Sequence, residues 1–258
     1  MGTGKVAKKT APRTAKINLD TKQQPVQQRS VETFELILEV TAQLLGDVGV
    51  ERLSTNMVCE KAGISPPALY RYFPNKYAIL KELGERLMAC QNRAYREWLE
   101  AEQQLDYDGS REATTRGLRD MQSRINAATM AFPGSAWIMR ALRAVPTLRH
   151  IRLDSHESVT ETSYEALRGR YPHADEAALR LSMRLSTEVM YAATEMVIDN
   201  PQLDGDLINA EVADMVVRYY DKFVENEEAY VGTLKKRAST KRPSKPKAAP
   251  AARKTRQR

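Results

Sequence analysis

The feature that most constrains the fold of this chain is a glycine followed closely by two prolines, Gly63 and Pro66-Pro67, with a short helical run on either side. Upstream, Ser54 is placed to cap a helix over residues 55–62, and Gly63 can adopt the left-handed conformation that ends it. Ser65 is expected to cap a second helix, whose first positions suit proline because no backbone N–H is needed there. Two short helices joined by such a turn form a helix-turn-helix.

Helical spacing gives the second of these helices an inner and an outer face. Leu69 and Phe73 lie four residues apart, so both are expected to face a core beside Val58 and Ile64. The outer face is then free to enter a DNA major groove. It carries Pro66, Pro67, Tyr70 and Arg71.

The stretch from Leu53 to Lys76 is similar to the signature of the TetR family of bacterial transcriptional regulators. The similarity rests on Leu53-Ser54-Thr55, Val58, Ala62-Gly63-Ile64-Ser65 and Leu69-Tyr70-Arg71-Tyr72-Phe73-Pro74-Asn75-Lys76. It covers residues 27–76, and the remainder agrees only in helical character and length, as expected of a family whose C-terminal domain diverges. The resemblance implies an all-α protein, with an N-terminal three-helix helix-turn-helix DNA-binding domain and a C-terminal helical ligand-binding and dimerisation domain.

The resemblance also implies which residues contact DNA. They are Thr55, Asn56, Pro66, Pro67, Ala68, Tyr70, Arg71, Tyr72 and Lys76. Thr55 and Asn56 would touch the backbone and sometimes a base, the residues of the second helix would read bases, and Tyr72 and Lys76 would hold phosphates. Arginine can pair with guanine through two hydrogen bonds, and asparagine can do so with adenine. Many relatives have polar residues at the positions of Pro66 and Ala68, so specificity is expected to depend on Arg71, Asn56 and DNA shape.

Composition limits the remaining classes. The chain has 258 residues, of which 42% are hydrophobic, and it contains two cysteines. No apolar run approaches the roughly 18 residues of a membrane span, the N-terminus lacks the apolar core of a signal peptide, and two cysteines make no disulfide framework. We therefore predict a cytoplasmic protein that is nucleoid-associated when bound to DNA.

Charge is concentrated at the two ends of the chain. Residues 1–26 carry a net charge of +5 and residues 233–258 carry +11, whereas the whole chain carries only +7, so the body is acidic. Both ends have little to bury, which predicts a disordered basic arm (1–26) and a disordered Lys/Arg-rich tail (233–258) around a DNA-binding domain (27–76) and a helical domain (77–232). The ends either follow DNA phosphates or only add solubility.

Two long helices are predicted near the end of the helical domain, over residues 174–199 and 205–228. Each carries an apolar stripe. The stripes are Leu181, Leu185, Val189, Ala193, Met196 and Val197, then Ile208, Val212, Met215, Val216, Tyr219 and Phe223. In the TetR family these helices form the homodimer interface, which would place two recognition helices about one DNA turn apart. The alternative is that both stripes belong to the core of one chain.

An apolar effector pocket is expected between the helices of the second domain. Its candidate residues are Met121, Met130, Phe132, Trp137, Met139, Tyr164 and Met190. Such positions are also typical of plain core. An effector bound there would favour one spacing of the two recognition helices and so change the affinity for DNA.

Catalytic motifs are not evident in the sequence. There is no Gly-rich phosphate loop, nucleophile elbow or Cys/His cluster, and His150 and His156 are spaced wrongly for a metal pair on one helix face. We therefore predict a non-enzymatic, cofactor-free and metal-free regulator, a homodimeric repressor released from a palindromic operator by a small, largely apolar effector. The alternative is a sequence-tolerant, DNA-coating protein that depends on its basic ends.

Overall fold

The computed structural model describes residues 17–23, 25–103 and 110–224, and the regular structure within these ranges is entirely helical. The helices are α1 (Gln28–Arg52), α2 (Thr55–Ala62), α3 (Pro66–Tyr70), α4 (Lys76–Gln103), α5 (Arg111–Ala131), α6 (Ser135–Ala144), α7 (Arg149–Leu167), α8 (Glu176–Asp199) and α9 (Gly205–Tyr219), with 3-10 turns at Pro146–Leu148 and Arg168–Arg170. The predicted all-α class is confirmed. Most of the predicted basic arm and all of the predicted tail lie outside the described residues.

The helix-turn-helix forms where the sequence predicts it. Ser54 Oγ accepts a hydrogen bond from the backbone N–H of Met57 at 3.3 Å, which caps α2. Gly63 ends α2 in the left-handed conformation, at φ 64° and ψ 31°. The predicted cap at Ser65 is wrong in one detail, because its side chain makes no capping hydrogen bond and its backbone carbonyl accepts from Ala68 at 2.9 Å instead.

The end of α1 is interrupted by a glycine. Gly49 has φ 73° and ψ 169°, outside the helical region, and one more turn follows as far as Arg52. The regular part of α1 therefore ends at Gly49. Because the helical hydrogen-bond pattern is broken there, carbonyl groups near the end of α1 need other partners.

One hydrophobic core joins α1, α2 and α3, which include the helix-turn-helix, to the helices that follow them. Phe34 of α1 stacks on Phe73 with ring centroids 4.8 Å apart, and Leu69 of α3 is fully buried beside them. Ile138 and Leu142 of α6 belong to the same cluster. The first four helices are thus fixed to α6 by apolar packing, so a movement of α6 acts directly on the helix-turn-helix.

The contact between α6 and α1 is close because of a second left-handed glycine. Gly134 precedes α6 at φ 70°, and a Cβ atom placed there would lie 3.0 Å from the carbonyl oxygen of Ala42. Any side chain at this position would meet the backbone of α1 as well as an unfavourable backbone conformation. The start of α6 can therefore lie directly on α1.

The last two helices differ slightly from the predicted ranges. Asp175 caps α8, its side chain accepting from the N–H of Ala178 at 2.9 Å, so α8 begins later than expected. α9 ends at Tyr219, helical conformation returns at residues 221–224, and the rest of the predicted range lies outside the described residues.

The apolar stripes of α8 and α9 divide into two sets. Ala193, Val212, Val216 and Phe223 are buried within the chain. Several others remain exposed to solvent. These are Leu181, Leu185, Met196, Met215 and Tyr219. One edge of each stripe therefore belongs to the core of the chain, while the other edge faces solvent, and the homodimer interface stays a prediction.

No helix in the described ranges is long and apolar enough to cross a membrane. In the same ranges, no group of three His, Cys, Asp or Glu side chains is arranged to hold a metal ion.

Candidate nucleic-acid interface and internal cavity

The outer face of α3 is exposed, as its helical spacing predicts. Pro66, Pro67 and Arg71 are exposed, and Tyr70 retains 40% of its surface. The Tyr70 hydroxyl lies 2.9 Å from Oγ1 of Thr55, so a side-chain hydrogen bond joins α3 to the start of α2. Among the other predicted residues, Asn56 is exposed, whereas Thr55 and Ala68 are half-buried. This face presents one cation, an aromatic hydroxyl and several small apolar groups.

A short N-terminal segment, residues 18–23, lies against the end of α3. The backbone N–H of Lys22 donates to the carbonyl of Tyr72 at 2.8 Å, and Nε of Arg71 donates to Oε1 of Gln23 at 3.1 Å. Nδ2 of Asn75 donates to the carbonyl of Asn18 at 2.7 Å. No motif in the sequence marks this segment as a partner of α3, because the bonds are mostly to backbone groups and join residues some 50 positions apart. The segment orients Arg71 before any DNA is present.

The structure corrects the predicted placement of Tyr72. Its side chain is only 3% exposed, and its ring packs edge-on against Phe34 with centroids 5.8 Å apart. A side chain so deeply buried does not reach a DNA phosphate. Tyr72 belongs to the core that supports α3, because the chain turns inward between α3 and α4.

Lys76 is also placed differently from the prediction. Its ammonium group donates to the carbonyls of Val50 and Leu53 at 2.9 Å each, and to that of Glu51 at 3.2 Å. An ammonium has three N–H donors, and all three are used here. Lys76 therefore supplies the partners that the carbonyls beyond the break at Gly49 require, rather than facing outward for a phosphate.

An internal cavity of about 400 Å³ lies between α4, α5, α7, α8 and α9. Of the seven predicted pocket residues, Met121 and Met190 line this cavity. The placement of the other five is wrong. Met130 and Trp137 are at the surface, Phe132 and Met139 pack in the core shared with the DNA-binding helices, and Tyr164 belongs to a separate cluster with Phe223. Helical spacing identified inward-facing residues, but it does not separate a filled core from the wall of a cavity.

Four buried polar atoms of lining residues have neither a hydrogen-bond nor an ion-pair partner among the described residues. They are Nε1 of Trp98, Oε1 of Gln122, Nε2 of His156 and the hydroxyl of Tyr191. A buried polar atom left unpaired typically costs about 1–3 kcal/mol, so four of them along one cavity are unusual. The arrangement provides hydrogen-bonding capacity that the described chain itself does not use.

Gln122 is held by a network that fixes its orientation. Its amide nitrogen donates to the carbonyl of Met190 at 2.9 Å and to Oγ1 of Thr194 at 2.8 Å. Because a carbonyl can only accept, the nitrogen is assigned to that side, and Oε1 is the free atom. Gln122 therefore presents an acceptor.

The neighbours of His156 likewise indicate which of its ring nitrogens carries the proton. The side chain is 3% exposed, and its Nδ1 lies 3.1 Å from a carboxylate oxygen of Glu188. We assign the proton to Nδ1 because this carboxylate oxygen is its neighbour, and Nε2 is then the acceptor. Burial lowers the pKa of His156, and the nearby carboxylate offsets this only in part. The ring is therefore neutral at pH 7 and adds no charge to the cavity.

The lowered pKa of His156 predicts acid sensitivity. The unfolded chain binds this proton near pH 6.5, while the folded chain resists it, so folding becomes less favourable as pH falls below about 6.5. We expect the free energy of unfolding to drop by up to about 1.4 kcal/mol per pH unit between pH 6.5 and 5. Urea unfolding across this range measures it. His156→Gln should reduce the slope and His150→Gln, at an exposed site on the same helix, should not; equal slopes in all three proteins would contradict the assignment.

Comparison with known proteins shows a known family pattern in the N-terminal part of the chain and a known fold over most of its length. Residues 37–83 match the family model of bacterial regulatory proteins of the tetR family. The chain is 41% identical over 54 residues to the class C tetracycline repressor protein of Escherichia coli, an alignment that covers 21% of this chain and 25% of the repressor. The chain thus spans about a quarter of the length of this curated relative.

Solved structures match over a larger part of the chain. A tetR-family transcriptional regulator from Streptomyces coelicolor matches with a TM-score of 0.57 at 16% identity, covering 83% of this chain and 90% of the regulator. The SmeT–triclosan complex matches with a TM-score of 0.53 at 17% identity, over 72% and 90% of the two chains. The fold and the exposed α3 define an all-α helix-turn-helix protein. Within that fold, the N-terminal part of the chain is similar to the TetR family of bacterial regulatory proteins.

Proposed function

We propose that this protein is a non-enzymatic, homodimeric transcriptional repressor that binds an inverted-repeat operator and is released by a small, largely apolar effector. The observation that carries the proposal is the exposed face of α3, where Arg71 and Tyr70 project from a TetR-type helix-turn-helix. Its place of action would be the cytoplasm, on nucleoid DNA.

The proposed DNA contacts are a subset of those predicted from the sequence. Asn56, Tyr70 and Arg71 supply hydrogen-bonding groups, while Pro66, Pro67 and Ala68 supply apolar contacts of the kind that suit a thymine methyl group. Thr55 acts through its hydrogen bond to Tyr70. Tyr72 and Lys76 support the helices from within. A phosphate contact is instead available to Lys22, whose ammonium lies at the carbonyl of Tyr70.

The proposed dimer uses the exposed edges of α8 and α9. Leu185 of α8 is 44% exposed and Met215 of α9 is 53% exposed, and both lie in stripes whose inner edges are already buried. Apolar side chains repeated along two adjacent helices suit a four-helix interface with a second copy. We assign residues 27–76 to DNA binding and 77–232 to effector binding and dimerisation, with basic ends at 1–26 and 233–258.

Coupling between effector and DNA is proposed to pass through Tyr191. This residue lines the cavity and also packs against the core that contains α6 and the DNA-binding helices. A ligand that moves Tyr191 would shift α6 against α1 and so change the separation of the two recognition helices. Such a ligand releases DNA only if it binds the two arrangements with different affinity.

Selection from a random duplex pool at about 150 mM salt tests the proposal. The full chain is compared with a truncated chain lacking 1–16 and 233–258, which keeps the segment that contacts α3. An inverted repeat enriched by both proteins supports a sequence-specific dimer. Loss of binding on truncation, without any enriched sequence, would favour the sequence-tolerant DNA coat that depends on its basic ends.

Arg71→Ala is expected to weaken binding to the selected duplex by about 10-fold to 100-fold, because arginine to guanine pairs each contribute about 1–3 kcal/mol of discrimination. Fluorescence anisotropy with a labelled duplex measures the change. Arg119→Ala removes the same charge from an exposed site on α5 and should change the affinity less than about twofold. Equal losses from the two variants would contradict base reading by Arg71.

A further inference from the structure

The cavity has an inner end and an outer end that differ in chemistry. Along α4 its wall runs from Gln91 to Glu102, a rise of eleven steps or roughly 16 Å of helix. Tyr191, which packs on the core shared with the DNA-binding helices, marks the inner end. Arg111 and Asp221, joined by a salt bridge of 2.7 Å, lie at the other end beside Glu102. The cavity is therefore elongated, with its charged groups gathered at one end.

The inner end has polar atoms but no ionic group in its wall. His156 is neutral, and the lining residues around it are uncharged, among them Asn92 and Ser155, which are hydrogen-bonded to each other at 2.9 Å. Arg152 and Glu188 lie behind this wall, against Tyr191 and His156, and they are paired with each other at 3.0 Å. A charged ligand group placed there would lose its hydration without meeting an opposite charge in the wall. The inner end therefore selects against carboxylates and ammonium groups.

The unpaired atoms define what a neutral ligand should present. Oε1 of Gln122 and Nε2 of His156 both accept, so the inner end calls for a ligand hydroxyl or N–H, and the hydroxyl of Tyr191 can accept or donate beside them. Trp98 lies two helical turns beyond Gln91 on α4, toward the outer end of the cavity. Its indole N–H can only donate a hydrogen bond. A ligand acceptor such as a carbonyl oxygen would satisfy it. Apolar side chains fill much of the remaining wall. They include Leu99, Leu118, Met121, Ile125, Val159 and Val216.

We propose that the cavity binds a neutral, elongated molecule with a hydroxyl or N–H at its inner end, an acceptor oxygen further along, and an apolar body. This inference rests on the proposed function only for the claim that such binding controls DNA affinity. Ligand binding would satisfy polar atoms that the described chain leaves unpaired, and it would place the ligand head against Tyr191.

Three probes of similar length test the proposal at pH 7. Heptyl 4-hydroxybenzoate carries a phenol and an ester carbonyl, heptyl benzoate lacks the phenol, and 4-heptyloxybenzoate is an anion. The full chain carrying Trp137→Phe is the reporter, because Trp98 is then its only tryptophan and lies in the cavity wall. Quenching of Trp98 fluorescence gives each dissociation constant. We expect the hydroxybenzoate ester to bind at least about tenfold more tightly than the benzoate ester, and the anion to bind most weakly.

Two tyrosine variants locate the hydroxyl. Tyr191→Phe should reduce the preference for the phenol at least about threefold and leave heptyl benzoate unaffected, since the lost hydroxyl has no partner among the described residues. Tyr164→Phe removes a hydroxyl from a buried tyrosine outside the cavity wall and should change neither affinity. Equal affinity for the two esters, tighter binding of the anion, or no binding of any probe would overturn the proposal.

The effect of the ligand on DNA binding is measured separately from ligand binding itself. If the hydroxybenzoate ester binds with the expected preferences but leaves the selected duplex bound, the ligand chemistry of the cavity is supported and its control of DNA binding is not. If no duplex sequence is ever selected, the repressor function fails, while the fluorescence titrations still decide the ligand class.

Discussion

Leu185→Glu combined with Met215→Glu is expected to convert the protein to a monomer and to weaken binding to an inverted-repeat duplex by at least about 100-fold. Both side chains are exposed on the outer edges of α8 and α9, so the change should leave the core of each chain intact. In a two-fold interface the substitutions bring four carboxylates together and remove the apolar surface that holds the copies. A monomer carries only one recognition helix, so it loses the avidity of binding two half-sites at once.

Sedimentation velocity gives the mass of the variant, and fluorescence anisotropy gives its affinity for DNA. Met130→Glu is the matched control, because Met130 is 59% exposed but lies on α5, outside the two helices proposed to form the interface. The control should stay dimeric and bind DNA normally. A double variant that remains dimeric with full affinity would show that the copies associate through some other surface.

Lys76→Met is expected to lower the free energy of unfolding by about 3 kcal/mol or more, and to abolish DNA binding as a consequence. Hydrogen bonds to charged groups contribute roughly 1.5–3 kcal/mol each, and this ammonium makes three of them to backbone carbonyls. Methionine keeps the length of the side chain but leaves those carbonyls without a donor. Urea unfolding followed by circular dichroism measures the change.

Lys61→Met provides the comparison, since Lys61 is an exposed residue of α2 whose ion pair with Asp47 at 3.3 Å lies at the surface. It should cost less than about 1 kcal/mol. The family-based prediction for Lys76 leads to the opposite result. A phosphate contact alone would leave stability unchanged and would reduce the salt dependence of DNA binding by about one ion.

The helix-turn-helix could be predicted from the sequence because its signals are local. The cap at Ser54, the left-handed Gly63 and the prolines opening α3 each act within a few residues, and all three are found in the structure. The inward positions of Leu69 and Phe73 follow from helical spacing in the same way.

The roles of Tyr72 and Lys76 could not be predicted because they depend on distant parts of the chain. Lys76 meets carbonyls more than 20 residues upstream, and only the break at Gly49 creates the need for them. Tyr72 turns inward because Phe34 of α1 lies there. A family resemblance predicts which positions of the sequence are important, but the neighbouring residues in the fold decide the role of each side chain.

The cavity was the least predictable feature. Met121 and Met130 lie on the same helix, yet Met121 lines the cavity and Met130 is at the surface. Its wall takes residues from five helices, so their relative placement, rather than any one apolar stripe, decides which side chains it contains.

The core shared by α1, α3 and α6 limits how this protein can be recombined with its relatives. A chimaera joined at the start of α4 would take Phe34 and Leu69 from one parent and Ile138 and Leu142 from another, dividing a single packed core between two unmatched halves. Transplanting the helix-turn-helix of this chain therefore requires that α6 be transferred as well, or that only the exposed residues of α3 be exchanged.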